Sequence, residues 1–90
     1  MKQFNYRIED PNGMHARPAG ALATFAKQFL SDVRVRVTGH EKEADAKRLL
    51  SLMSLGAVTG SELLFSVSGE DEERAAPAIE EFCRAHLGGA

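Results

Sequence analysis

The sequence predicts an α+β open-faced β-sandwich: a four-stranded antiparallel sheet with three helices on one face, in the order βαββαβα. Three observations predict it. Several short stretches alternate apolar and polar residues with a period of two, the segments between them switch to the helical spacing, and the strand alternates are mostly polar, as one wet sheet face requires. With 90 residues, 43% of them hydrophobic and 27% charged, the chain is too polar for a membrane span and too apolar for disorder, and is expected to form one domain over 1–90. A chain of this length buries about 60–70% of its unfolded surface, so a single covered sheet is near the limit of what it can build.

Phe4, Tyr6 and Ile8 alternate with Gln3, Asn5 and Arg7 as a first strand, which Asp10, Pro11, Asn12 and Gly13 break. From Ala16 to Phe29 the spacing is helical, with Leu22, Phe25, Ala26 and Phe29 on one stripe. Pro18 falls near the start, where its missing N–H is tolerated, so the helix begins near His15. Val33, Val35 and Val37 form a second strand, Thr38 to His40 a turn, and Glu41 to Ala46 a short edge strand with Ala44 and Ala46 facing in. Lys47 to Leu55 reads as a short helix ended by Gly56. Its Leu49, Leu50, Leu52 and Met53 are more apolar surface than one buried face needs. Leu63, Phe65 and Val67 give a fourth strand between Gly60 and Gly69, with Leu64 the odd apolar residue on its outer face. Asp71 to Glu73 suit the positive end of a last helix, in which Ala76, Ile79, Phe82 and Cys83 continue on one face toward Leu87. Pro77 inside that helix predicts an irregular first turn or a bend.

Charge and composition exclude several functions. Eleven basic against thirteen acidic residues give a net charge of −2, which lacks the footprint of a general nucleic-acid binder; proteins are the expected partners. Cys83 is the single cysteine, so an internal disulfide is impossible and a reducing cytoplasm is the simplest home; it reads as a small apolar helix residue. The N-terminal stretch has no apolar run of signal-peptide length, and no membrane insertion is expected. His40 and His86 are expected in solvent, the run Glu70 to Glu73 complements a helix dipole, and no metal or cofactor is assigned.

The informative stretch is Pro11-Asn12-Gly13-Met14-His15-Ala16-Arg17-Pro18-Ala19-Gly20. His15 at the helix N-cap would lie beside unpaired backbone N–H groups that make an anion site, and Arg17 in the first turn brings a planar donor fork matched to phosphate oxygens. Since Pro18 has no N–H, those of Ala16, Arg17 and Ala19 are left to face an anion. A nucleophilic imidazole beside an anion cradle suits phosphoryl transfer to nitrogen. The plainer alternative is that His15 only caps the helix and Arg17 is a solvated charge. No acid or base partner and no phosphate-binding glycine loop accompany the motif in sequence, so the histidine would be a carrier rather than part of an autonomous catalyst.

Together, Gly13-Met14-His15-Ala16-Arg17-Pro18-Ala19 and Met53-Ser54-Leu55-Gly56 with Gly60, in this element order, resemble HPr, the histidine-containing phosphocarrier family of the bacterial phosphotransferase system. The resemblance spans essentially the whole chain. It implies that His15 is phosphorylated on Nδ1 by enzyme I, charged from phosphoenolpyruvate, and passes the group to sugar-specific IIA domains, with Arg17 and Ala16 at the phosphate. It also implies that partners dock on Ala16, Gly20 and Lys27 of the first helix and Leu49, Leu50 and Met53 of the second, which accounts for the surplus apolar surface; a cytoplasmic monomer is expected. Two departures stand out. Gly20 replaces an alanine common in the family, and Arg48 occupies the position of the regulatory serine of low-GC Gram-positive members, where arginine cannot accept a phosphate. The hairpin between the second and third strands is about two residues longer than in many members. A second reading makes the chain a nitrogen-branch or other regulatory paralogue, acting as a phosphorylation-dependent binding module. A third, a stand-alone hydrolase or kinase, lacks a base and a cofactor cradle.

Overall fold

A computed structural model describes residues 1–88. The strands β1 (Lys2–Arg7), β2 (Asp32–Val37), β3 (Glu43–Asp45) and β4 (Glu62–Ser68) alternate with the helices α1 (Ala16–Ala26), α2 (Leu49–Met53) and α3 (Glu72–Leu87) in the order βαββαβα. All strand pairs are antiparallel, in the spatial order β1-β4-β2-β3. This is the predicted fold.

The two-residue period sorts the strands into faces. On β4 the inward residues Leu63, Phe65 and Val67 are fully buried, and they pair with Tyr6, Phe4 and Lys2 of β1 on one side and with Val37, Val35 and Val33 of β2 on the other. The rings of Phe4 and Phe65 stack with centroids 4.7 Å apart. Leu22, Ala26, Leu52, Ile79 and Cys83 close the core from the helices, and α1 packs against both α2 and α3. Cys83 is buried as predicted, and burial raises its thiol pKa to about 12. Leu64 lies on the outer face, flanked by Asn5 and Arg36.

Several boundaries differ from the sequence reading, each for a local reason. After Ala26 the chain tightens, with Gln28 and Phe29 donating to Phe25 and Ala26, so the stripe to Phe29 ends in turns rather than helix. At the start of α2, Asp45 holds Lys47 and Arg48 outside the helix: its carboxylate accepts the Lys47 N–H at 2.9 Å and its carbonyl accepts the Arg48 N–H at 3.0 Å. Pro77 lies within α3, which continues through it. The proline and Glu73, whose carbonyl loses its intrahelical donor, are both exposed, so water can replace the bond.

Asp71 serves differently from the helix-dipole complement that its position suggested. Its side chain makes no cap bond within α3. It accepts the N–H groups of Leu30 and Ser31, both at 2.9 Å, and the Ser31 hydroxyl, fastening the α1–β2 turn to the start of α3. These donors, the Ser31 hydroxyl foremost, hold its pKa at about 2. Ser31 is itself fully buried.

Candidate functional site

Gly13 sets the entry to α1. Its φ of 66° lies in the left-handed region, and a Cβ there would stand 2.7 Å from the Ala57 carbonyl oxygen and 2.8 Å from Val58 Cα, so a side chain is excluded twice over. Met14 is buried, and its N–H donates to the Ala57 carbonyl at 3.1 Å. The Thr59 hydroxyl donates to the Asp10 carbonyl at 2.6 Å, and the Gly60 N–H donates to that of Ile8 at 2.8 Å. From the other side, Glu9 and Asp10 donate their N–H groups to the carbonyl of Leu87. The 13–19 motif and the segment ending at Gly60 are thus two halves of one clamp on the loop that carries His15.

His15 occupies the N-cap of α1 with extended backbone, φ −89° and ψ −179°, but its ring makes no capping hydrogen bond. Capping alone therefore does not account for the ring. Its Nε2 is buried without a hydrogen-bond partner and lies 3.9 Å from Asp10 Oδ1, while the side chain as a whole is 31% exposed. Asp10 corrects the expectation that no acid accompanies the histidine. It was read only as a strand breaker, yet its Oδ1 accepts the Asn12 N–H at 2.8 Å, a turn that sets the carboxylate beside the ring. The helix ladder starts with Ala19 donating to the His15 carbonyl at 3.0 Å. The N–H groups of Ala16 and Arg17 precede it, and Pro18 has none. Ala16 and Arg17 are exposed. Asp10, Arg17, Pro18 and Ala21 line a depression of about 430 Å³ together with Ala85 and His86 of α3.

The remaining predicted residues form a broader face. Gly20 lies opposite α2, where an added Cβ would be 3.9 Å from Leu49 Cδ1. Leu49, Leu50 and Met53 are 38%, 79% and 40% exposed while Leu52 is fully buried, so the surplus of apolar residues in α2 is external. Lys27, exposed at the C-cap of α1, lines a groove of about 370 Å³ with Lys47, Arg48, Leu49 and Leu50. Lys47 also donates to the Phe29 carbonyl at 2.7 Å, tying the entry of α2 to the end of α1. Some 18 Å of helix axis separates His15 from Lys27. Gly20 and Lys27 of α1 therefore meet Leu49 and Leu50 of α2, while Ala16 and Arg17 lie at the other end of α1.

A family model described as "PTS HPr component phosphorylation site" matches residues 2–85. The chain belongs to the HPr family. The phosphocarrier protein HPr of Mycoplasma genitalium is 40% identical over 80 residues, which cover 89% of this chain and 90% of that protein. Among solved structures, the histidine-containing phosphocarrier protein of a mycoplasma superposes with a TM-score of 0.89 at 31% identity, covering 96% of this chain and 97% of that one. An HPr structure from Thermoanaerobacter tengcongensis gives 0.86 at 32% identity, covering 98% and 97%. The family and its α+β fold are those the two motifs implied. Among the described residues, no helix is long and apolar enough to cross a membrane.

Proposed function

We propose that this chain is the phosphocarrier of a phosphoenolpyruvate-dependent sugar phosphotransferase system, one domain that accepts a phosphoryl group on His15 from enzyme I and passes it to IIA domains. The observation that carries the reading is the His15 ring: it stands at a helix N-terminus, makes no cap bond, and has Nε2 buried. With Nε2 turned inward, the nitrogen open to an incoming phosphorus is Nδ1. Its lone pair attacks the phosphorus of the donor phosphohistidine, and the new N–P bond forms as the donor's N–P bond breaks. The transferred oxygens face the N–H groups of Ala16 and Arg17 and the positive end of α1, and the Arg17 guanidinium supplies a fork that orients them. Asp10, whose Oδ1 lies 3.9 Å from Nε2, places a carboxylate beside the ring during both transfers. Onward transfer to a IIA domain is the same exchange with His15 as donor.

Partners dock on Ala16, Gly20, Lys27, Leu49, Leu50 and Met53, burying apolar surface that the fold leaves outside. Serine-linked control is absent at Arg48. Ser51 is a poor substitute, because its hydroxyl accepts the Asp45 N–H at 2.9 Å and helps fix the entry of α2. The protein works as a monomer in the cytoplasm, where enzyme I and phosphoenolpyruvate are available. The test is incubation with phosphoenolpyruvate and enzyme I, followed by intact mass at neutral and acid pH. A gain of one phosphoryl group that acid removes is expected, since a phosphoramidate is acid-labile. An unmodified chain overturns the reading. A modified chain that fails to support sugar phosphorylation with any IIA domain moves it to the regulatory branch.

A further inference from the structure

Asp10 lies in the loop between β1 and α1, and its carboxylate stands beside the one ring nitrogen of His15 that the carrier reading leaves idle. Oδ1 accepts the Asn12 N–H at 2.8 Å and lies 3.9 Å from Nε2. The Asp10 side chain is only 13% exposed, and Nε2 is buried without a hydrogen-bond partner. Among the described residues the carboxylate forms no ion pair with lysine or arginine. The main chain fastens this pairing in place: the Asp10 carbonyl accepts the Gly13 N–H at 3.0 Å and the Thr59 hydroxyl at 2.6 Å, and the Asp10 N–H donates to the Leu87 carbonyl at 3.0 Å. A negative charge on a fixed loop therefore faces a ring nitrogen shielded from water, where it acts more strongly than in solvent.

We propose that Asp10 is a positioning residue of the phosphoryl site: it keeps the ring proton on Nε2, which leaves the lone pair on Nδ1, and it balances the positive charge the ring acquires when Nδ1 takes the phosphoryl group. The second part rests on the carrier reading; the first does not. A neutral imidazole carries its proton on one nitrogen and its lone pair on the other. With the lone pair on Nε2, two electron-rich groups would face each other at 3.9 Å; with the proton there, an N–H dipole points at the carboxylate and the nucleophilic lone pair falls on Nδ1. In the transfer, that lone pair forms the new N–P bond while the donor imidazole leaves with the electron pair of its broken one. The Nε2 proton stays where it is, so the His15 ring becomes a cation beside the carboxylate, which an opposite charge stabilises. At 3.9 Å the interaction is Coulombic in the free chain, and a closure of about 1 Å makes it a hydrogen bond once the ring is charged.

Two variants separate charge from loop geometry. Asp10→Asn keeps an oxygen for the Asn12 N–H and removes the charge, and Asp10→Ala removes both. In each unphosphorylated full chain, with nitrogen-15 in its histidines, the ring shifts and couplings of His15 are read at about pH 8, where an ordinary imidazole is neutral. The wild type is expected in the Nε2–H form, and both variants gain the Nδ1–H form several-fold. Charged with phosphoenolpyruvate and enzyme I, Asp10→Asn accepts the phosphoryl group about tenfold more slowly, and the transfer equilibrium moves back toward enzyme I by a similar factor. A loop that merely placed the ring would slow both directions alike and leave the equilibrium where it is. A wild type dominated by the Nδ1–H form, a tautomer ratio that Asp10→Asn leaves unchanged, or an unmoved transfer equilibrium overturns the proposal. A change confined to Asp10→Ala overturns it too, and makes the Asn12 turn responsible instead of the charge. A wild type that takes no label refutes the carrier reading, while the tautomer populations still decide Asp10.

Discussion

Two surfaces of this molecule face solvent, and they treat it differently. On the outer face of the sheet the side chains answer one another: the Gln3 amide donates to the Ser66 hydroxyl at 3.1 Å, the Asn5 amide to Glu62 at 2.9 Å, and Arg34 to Asp32 at 2.9 Å. On the face built by α1 and α2, Leu50 is 79% exposed, and a groove gathers Lys27, Lys47 and Arg48 around Leu49 and Leu50 without an acidic residue in its lining. A face whose polar groups are internally satisfied gains little from a partner, whereas exposed leucines beside concentrated charge have free energy to release on contact. The difference supports the proposed placement of the docking face on the helices.

The largest expected effect is at the N-terminus of α1. His15→Ala abolishes the acid-labile modification while leaving the thermal midpoint nearly unchanged. An N-cap substitution costs about 0.5–2 kcal/mol at most, and the ring makes no cap bond here. Intact mass and a circular-dichroism melt read both quantities, and label persisting on His40 or His86 would refute the assignment. Gln3→Ala, on the sheet face, leaves the label intact.

Arg17→Lys comes next. It keeps the charge and loses the fork, so transfer in both directions slows by roughly tenfold to a hundredfold while the affinity for enzyme I holds. Single-turnover transfer rates check this; unchanged rates place Arg17 outside the site.

A paired substitution puts the comparison of faces directly. Leu50→Glu weakens enzyme I binding about tenfold, because a charge replaces an apolar contact in the buried centre of the interface. Leu64→Glu changes the one outward leucine of β4, flanked by Asn5 and Arg36, and leaves binding as it was. Calorimetric titration of both variants decides it. Chemical-shift mapping that put the contact on the sheet would reverse the assignment of faces.

How much of this was legible depended on the range of the interactions. The alternation in β2 and β4 and the start of α1 at the His15–Pro18 stretch are written in neighbouring residues, and so are His15 and Arg17, the pair proposed for the phosphoryl site. Asp10 reads in sequence only as a strand breaker, because residue types alone do not say that its turn onto the Asn12 N–H sets the carboxylate beside the ring. His86 is exposed as expected, and its spacing of four from Phe82 on a helix already signals the ring stack. Asp71 is assigned to its own helix because its partners act across the fold. Its partners, Leu30 and Ser31, lie 41 and 40 residues away.

Asp71 also marks a contrast in how the two ends of α1 are fastened. Its carboxyl pKa is lowered from the ordinary 3.8 to about 2 by the donors of Ser31 and Leu30. A depressed carboxyl pKa contributes stability that is fully present above the unfolded value and fades as pH falls through the folded one. The thermal midpoint should therefore drop between about pH 4 and pH 2 in the wild type. Asp71→Asn should melt several degrees lower near neutrality and lose that part of the slope. A pH series of melts in both chains measures it, and parallel slopes would show that the carboxylate contributes nothing.

The smallest effect comes from Gly20, set against the other glycine of the same motif. At Gly13 a Cβ would meet backbone at 2.7 Å with φ at 66°, so alanine there must displace the loop that carries His15. At Gly20 the helix gains nothing from glycine: no positive φ is required, and a Cβ would meet only Leu49 Cδ1, at an ordinary contact distance of 3.9 Å. Gly20→Ala should raise stability by about 0.5–1 kcal/mol by removing the backbone entropy that glycine adds to the unfolded chain. It also places a methyl group against α2, so the face that docks partners becomes slightly more apolar, and enzyme I affinity stays equal or rises. Denaturant melts at constant m-value test the first part. A destabilised variant would mean that the close packing of α1 on α2 at Leu49, rather than helix propensity, decides what position 20 can hold.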